Sequence, residues 1–498
     1  MSQTRSLPAK YYGANGTHRV PLWRVAGFAL NNTATNCYLL LMNYVAYYLT
    51  GFVGVAVVTA SSFAMFMRIW DGVTDPFIGF AVDSTNGKFG KNRPFMIIGQ
   101  VILCVMSFIL FHVTHKLPEN TALRFGFFIV VAAIYYIGYT FQCVVTKSAQ
   151  SCLTNDPKQR PLFTMFDAAF NTLLFAVLAV VFANIAKANG GFEQAATWHN
   201  LWLVTAILGA VFTTIAVISI APKDRTEFFG TGKAVKVGLK DYWDCIKSNR
   251  AIQMLVVSAS SDKLATTMRT STVQIVLFGV IAGDYAIYGT MTGMTSIPTC
   301  ILSMLFIGTL ATSLGQRKAM LIGSWGGIFT NAALAALWFF GDPTSMNNGA
   351  GGLKWGYFAI GYVVLTIICN GFQGISGNIV IPMTADCADY EVYRTGKYVP
   401  GMMGTLFSLV DKLISSFAPL LTGVAFAAIG FKDHLPDVGT KLADCPSSIV
   451  PLSIFLMYGT VIIGLICNII ALKFYPLTKE KMAEIQDEIA AIKAKAMQ

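Results

Sequence analysis

Arg68-Ile69-Trp70-Asp71-Gly72-Val73-Thr74-Asp75-Pro76, then Gly79 and Asp83, then Gly87-Lys88-Phe89-Gly90-Lys91-Asn92-Arg93-Pro94: this stretch decides the fold. Both of its flanks are long and apolar, so Arg68, Asp71 and Asp75 sit inside a membrane-length helix. Steps of three and four residues put all three on one helical face. A charge near the middle of a bilayer is costly, so acids there face a cavity or a partner. An Arg–Asp pair tying two helices together is the plainer reading. Two carboxylates and one Arg, however, leave a negative charge that calls for a cation. The Gly-, Lys- and Arg-rich end from Asp83 onward reads as a tight cytoplasmic turn.

The rest of the chain agrees with a membrane setting. Of 498 residues, 55% are hydrophobic and only 12% are charged, the balance of a polytopic membrane protein. Most of the 36 Lys and Arg fall in the N-terminal tail, the even-numbered loops and the C-terminal tail. This asymmetry predicts both termini on the cytoplasmic side of a multi-pass inner-membrane protein. It also accounts for the net charge of +11 without a nucleic-acid partner. The ten cysteines form no CxxC or Cys/His metal spacing and read as packing residues, with Cys445 in an external loop. No cleavable signal is visible, and the sequon Asn15-Gly16-Thr17 lies on the cytoplasmic side. No Walker, HExxH or GxSxG stretch sits in a suitable context, so an enzyme is not expected, nor a cofactor.

Apolar runs long enough to cross about 30 Å of hydrocarbon recur twelve times, at 23–50, 54–82, 94–114, 122–151, 163–187, 199–221, 251–281, 287–313, 318–341, 353–387, 401–430 and 449–475. Lipid admits only helices or closed barrels, so all should be helical. A repeat relates the two halves. Ile78-Gly79 through Gly90-Lys91-Asn92-Arg93 to Ile97-Ile98-Gly99 is echoed by Ile307-Gly308 through Gly315-Gln316-Arg317-Lys318 to Leu321-Ile322-Gly323, six spans later. The expected layout is a cytoplasmic tail (1–22), a six-helix half (23–221), a cytoplasmic linker (222–250), a second six-helix half (251–475) and an amphipathic tail (476–498). The substrate path would run near the midplane.

Other polar residues inside the spans mark candidate sites. Asn31, Asn32, Thr33, Thr35 and Asn36 in span one either bond neighbouring helices or line a cavity. Lys147 at the end of span four needs an anion: Asp71, Asp75, Asp167 or an anionic substrate. In the linker, Leu239, Trp243 and Ile246 have the spacing of a helix lying on the inner membrane face, with a plain linker the alternative. Span seven carries Asp262, Lys263 and Arg269, and span ten carries Asn370, Gln373 and Asn378. Asp386 and Asp389, with Glu391 and Arg394 close by, form a cytoplasmic latch together with Asp83, Lys91, Arg93 and Arg317. Span eleven adds Asp411 and Lys412, with Lys412 placed to face Asp71 and Asp75. Met482, Ile485, Ile489 and Ile492 give the tail one apolar helical face, which reads as a surface or interfacial helix. Asp71 and Asp75, with the hydroxyls of Thr74 and Thr140, offer oxygen ligands for a small hard cation, Na⁺ or Li⁺; a carboxylate can instead take a proton.

The run Arg68 to Pro76, the Asp83–Pro94 turn and the motif Ala385-Asp386-Cys387-Ala388-Asp389-Tyr390 with Tyr393 and Gly396 resemble the glycoside–pentoside–hexuronide:cation symporters. The resemblance covers about residues 22–475. It implies an all-α membrane protein with twelve transmembrane helices in the major facilitator fold. It also implies that the acids at Asp71 and Asp75 carry the coupling cation. Thr74 occupies a position where the melibiose-transporting member has Asn; Thr140 and Lys412 match a threonine and a lysine of the family. The galactosyl-binding acids of that member align with Thr35 and Cys143, its span-four Trp with Lys147, and its sugar-contacting Arg falls near Ala168. Lost acids and a gained lysine suit an acidic sugar, such as a hexuronide or a sulfonated sugar. The expected substrate-binding set is therefore Thr35, Asn36, Arg68, Cys143, Lys147, Gln373 and Lys412.

The expected function is secondary active symport of a sugar or glycoside with Na⁺ or H⁺ by a monomer in contact with membrane lipid. A lysolipid carrier of the same fold and a non-transporting sensor or scaffold are the alternatives.

Overall fold

The computed structural model describes residues 19–85, 87, 89–154, 160–225, 247–306, 309–310, 312–349, 352–395, 410 and 412–496. Its long helices are α1 (Leu22–Met42), α2 (Val57–Ser84), α3 (Arg93–His112), α4 (Thr121–Ser148), α5 (Arg160–Asn189), α6 (Ala195–Ile220), α7 (Arg250–Thr267), α8 (Tyr285–Phe306), α9 (Gln316–Phe340), α10 (Tyr357–Thr395), α11 (Ala418–Ala428), α12 (Thr460–Lys473) and α13 (Lys479–Ala496). Local sequence sets several starts. The Asn120 side chain accepts from the Leu123 N–H at 3.1 Å, and that of Asn249 accepts from Ala251 and Ile252 at 3.0 and 3.2 Å. Pro94 occupies the first turn of α3, where its missing N–H costs nothing.

Among the described residues, seven helices are long and apolar enough to cross a membrane; there are eight if Arg250–Thr267 and Ser271–Ile281, bent by 44°, form one broken span. The other expected spans fall on α1, α2, α8 and the segment Lys412–Ala428. These are more polar or shorter: α1 carries the Asn and Thr cluster, α2 carries Arg68, Asp71 and Asp75, and α8 carries threonines and Pro298.

The chain divides into two units. Unit 1 is Met1–Ala56 with Ile69–Lys233, and unit 2 is Val57–Arg68 with Ala234–Gln498. The division after Lys233 lies inside the expected linker, whose residues 226–246, including Leu239, Trp243 and Ile246, are outside the described set. One departure from the expected halves is α2, whose first three turns group with unit 2.

The repeat extends to packing. In unit 1, α1 packs on α4, α5 and α6, and α3 packs on α4 and α6. In unit 2, α7 packs on α10, α11 and α12, and α9 packs on α10 and α12, the same scheme six helices later. The first helix of each unit also breaks in the same manner. After α1, the break at Asn43–Tyr44 leads to Val45–Tyr48 and a π-helical turn, Leu49–Val53. After α7, the break at 268–270 leads to Ser271–Ile275 and a π-helical turn, Val276–Ile281. Gly90 and Gly315, at matching points of the repeated loop, have φ of 92° and 83°, a region that favours glycine. Of the repeat, Ile307, Gly308 and Ala311 lie outside the described residues.

The tail departs from expectation. α13 docks on α10, with Ile485 fully buried and Met482 packed against the unit 2 core around Ala251, Ile252, Met383 and Tyr475. Protein rather than lipid covers that part of its apolar face.

Candidate cation and substrate sites

Unit 1 brings three of the four expected cation residues together. Asp71, Thr74 and Thr140 are all buried. The Thr140 hydroxyl lies 2.8 Å from Asp71 Oδ1, 3.0 Å from the Thr74 hydroxyl and 2.9 Å from the Tyr136 carbonyl. The Thr74 hydroxyl donates to the Asp71 carbonyl at 3.0 Å. Two hydroxyls thus bring two protons to five clustered oxygens, one of them a carboxylate oxygen. Such an excess of acceptors over donors suits a small hard cation or an added proton. Asp75 follows one turn after Asp71 on α2 and is half-buried. Among the described residues, no group of three or more His, Cys, Asp or Glu is placed to hold a metal ion.

The three asparagines of α1 bond to neighbouring helices. Asn31 reaches α4, donating to Thr146 Oγ1 at 2.7 Å. Asn32 donates to both carboxylate oxygens of Asp167 on α5, at 2.9 and 3.1 Å. Asn36 donates to Asn171 Oδ1 at 2.9 Å, and Asn171 donates to Asp167 at 3.0 Å. Thr35 is buried and donates to the Asn31 carbonyl of its own helix at 2.9 Å.

Asp167 is therefore held by amides and is not the partner of Lys147. Lys147 lies in the last turn of α4 and is exposed. The 28 residues of α4 span about 42 Å at 1.5 Å per residue, more than the hydrocarbon thickness. In the last turn of α4 the Lys147 charge complements the helix C-terminus. Cys143 is half-buried one turn earlier on α4, and Arg68 is half-buried on α2.

In unit 2, Gln373 accepts from Arg269 at 3.3 Å. The same guanidinium donates to the Met457 carbonyl at 2.7 Å and to Asn331 Oδ1. Lys412 opens the Lys412–Ala428 segment and is half-buried.

The expected gating residues build two matching joints. In unit 1, the buried carboxylate of Asp224 accepts the backbone N–H groups of Lys91, Asn92 and Arg93 at 2.9–3.1 Å, together with Arg93 Nε at 3.4 Å. In unit 2, Arg317 donates to the Leu472 and Lys473 carbonyls at 3.0 and 3.2 Å. The side chain of Asp83 is outside the described set. Asp386 and Asp389 are half-buried near the end of α10. The ion pair described at that end is Arg394 with Glu391 at 3.1 Å, and Asn249 also donates to Glu391 at 2.8 Å.

Three residues take a larger part than the sequence assigned them: Asp167, expected only as a candidate partner of Lys147, Arg269, marked only as a charge in span seven, and Asp224, not singled out. The signal for Asp167 and Arg269 was simply a charge inside a span.

Comparison with known proteins agrees with this architecture. The chain is 23% identical to a glucuronide carrier protein homolog of Escherichia coli strain K12 over 480 residues, covering 94% of this chain and 95% of that protein. It is 22% identical to the isoprimeverose transporter of Lactiplantibacillus pentosus over 418 residues, covering 83% and 81%. The solved nucleoside transporter NupG shares the fold with a TM-score of 0.57 at 11% identity, covering 91% of this chain and 100% of that one. The model of the MFS/sugar transport protein family matches residues 28–479. The chain, an all-α polytopic transporter and not an enzyme, belongs to that family.

Proposed function

We propose that the protein couples a cation to the uptake of a sugar or glycoside by alternating access. The oxygen cluster at Asp71, Thr74 and Thr140 carries this reading. Na⁺, Li⁺ or H⁺ loaded there removes negative charge from the interior. Substrate affinity then depends on the cation, and the cation's affinity on the substrate, by linkage. Relatives named as a glucuronide carrier homolog, an isoprimeverose transporter and a lactose permease support a sugar as cargo, and the first supports an acidic one. The transporter would work as a monomer in the inner membrane with both termini cytoplasmic.

Uptake into vesicles, with and without Na⁺ and across pH, tests this. Asp71→Asn and Asp75→Cys should abolish cation stimulation. Thr140→Ala should weaken cation affinity roughly tenfold, the loss of one hydroxyl ligand. Unchanged Na⁺ and pH dependence in both acid variants would remove the proposed seat. Counterflow with lysolipid alone would make the protein a lipid carrier, and no counterflow at all would make it a scaffold.

A further inference from the structure

Span seven breaks between Thr267 and Ser271 with a 44° bend. At membrane depth, irregular backbone survives where protein buries it or where it lines a cavity, and broken helices commonly hold the cargo of secondary transporters. Arg269 stands in this break. It donates to the Met457 carbonyl, which lies in a second irregularity, the π-helical turn Phe455–Gly459. Its other acceptors are Gln373 Oε1 on α10 and Asn331 Oδ1 on α9, and its guanidinium carbon lies 5.9 Å from the Tyr458 ring centre. All three acceptors are neutral. Among the described residues no carboxylate pairs with Arg269; Asp262, on the same helix, is two turns away.

Donors here outnumber acceptors. A guanidinium has five N–H groups, and three are used. Gln373 turns its oxygen to Arg269, so its buried amide nitrogen meets no acceptor among the described residues; the buried Thr270 hydroxyl is also without a partner. A permanent charge at this depth, solvated only by carbonyl dipoles, is costly, and an anion relieves it. A carboxylate fits best, because a guanidinium fork binds its two oxygens in plane.

We infer that Arg269 and Gln373 form a carboxylate-binding subsite that selects acidic over neutral glycosides. The substrate carboxylate accepts the two remaining guanidinium N–H groups and the Gln373 amide. This rests on the symport reading and assigns recognition of the acidic group to the break in span seven rather than to Lys147.

The test compares methyl glucuronide with methyl glucoside, which differ at one carbon, by thermal-shift titration of the purified protein. The wild type should bind the glucuronide more tightly. Gln373→Glu supplies a built-in counter-ion to Arg269, so it should melt at or above the wild-type temperature while its glucuronide affinity falls about tenfold or more. Arg269→Lys keeps the charge but loses the fork, so it should give an intermediate loss. Wild-type affinity for the glucuronide in Gln373→Glu would overturn the subsite, and so would equal binding of the two glycosides by the wild type. If a neutral sugar shows cation-stimulated uptake while the glucuronide is ignored, the subsite falls and symport stands. If no glycoside binds or moves, both fall.

Discussion

The two units share one packing scheme but close it with opposite charges. In unit 1 the loop before α3 is gathered by an anion: Asp224 caps three backbone N–H groups at a helix N-terminus. In unit 2 the loop before α9 is fastened by cations. Arg317 caps the carbonyls at the C-terminus of α12, and Lys479 packs beneath Gly315 while donating to the Ser313 carbonyl at 2.9 Å. Each solution complements a helix dipole, one at its positive end and one at its negative end. Deeper in the helices, unit 1 carries Asp71 and Asp167, and unit 2 carries Asp262 in its first helix and Arg269 at the break that follows. A repeated frame thus fixes where the chain must turn and which helices must touch. It leaves open the sign of the charge that completes the joint, and cation and anion recognition can then diverge between the units.

The comparison can be broken at its joints. Asp224→Ala should have the largest effect, because it leaves buried backbone N–H groups and Arg93 without their acceptor. A loss of about 3–5 kcal/mol is expected, seen as a sharply lower melting temperature of the purified protein. Arg317→Ala should cost only about 1 kcal/mol, because water can reach the freed carbonyls at the edge of the protein. Equal losses would mean that the two joints are not distinguished by charge burial.

Gly90→Ala should come next, at about 2 kcal/mol or more, since an added Cβ at φ 92° would meet Asp224 at 2.2 Å. Gly315→Ala should cost about 1 kcal/mol, because the Cβ would meet the Lys479 stem at 2.9 Å, and that side chain can yield. The smallest effect is expected from Asn171→Ala, which removes one amide donor from Asp167 while Asn32 keeps its two contacts. About 0.5 kcal/mol is expected in a melt. A loss as large as that of Asp224→Ala would show that the amide network, and not the Asp224 joint, holds unit 1 together.

Much of this was legible in the sequence. Charges at three- and four-residue spacing in an apolar run placed the candidate cation residues on one helix face, and Thr140 lies against Asp71 and Thr74. The basic glycine turn marked the repeat, which packing then carried through each unit. Arg269 was legible as a charge but not as a site, because its partners lie 188, 104 and 62 residues away along the chain. Asp224 was hidden because it is one of four acids in a polar connection with no periodicity to single it out. Lys147 was legible as a charge near the end of a span, but its distance from Asp167, whose oxygens are taken by Asn32 and Asn171, was not. The spacing of Met482 and Ile485 revealed an apolar face, but hydrophobic periodicity is the same whether lipid or protein covers it.

The docking of α13 also bears on biosynthesis. Ile485, almost at the end of the chain, is fully buried in the cluster that contains Ala251, at the start of unit 2. Membrane insertion of the unit 2 helices can proceed as each one emerges from the ribosome, but this cluster cannot close until the residues through Ile485 have been made. Unit 1 has no such dependence, so its core around Val25, Phe28 and Ile220 can consolidate during synthesis, well before release of the chain. A ribosome stalled within α13 would therefore leave a membrane protein with one finished unit and one still open where α13 docks on α10.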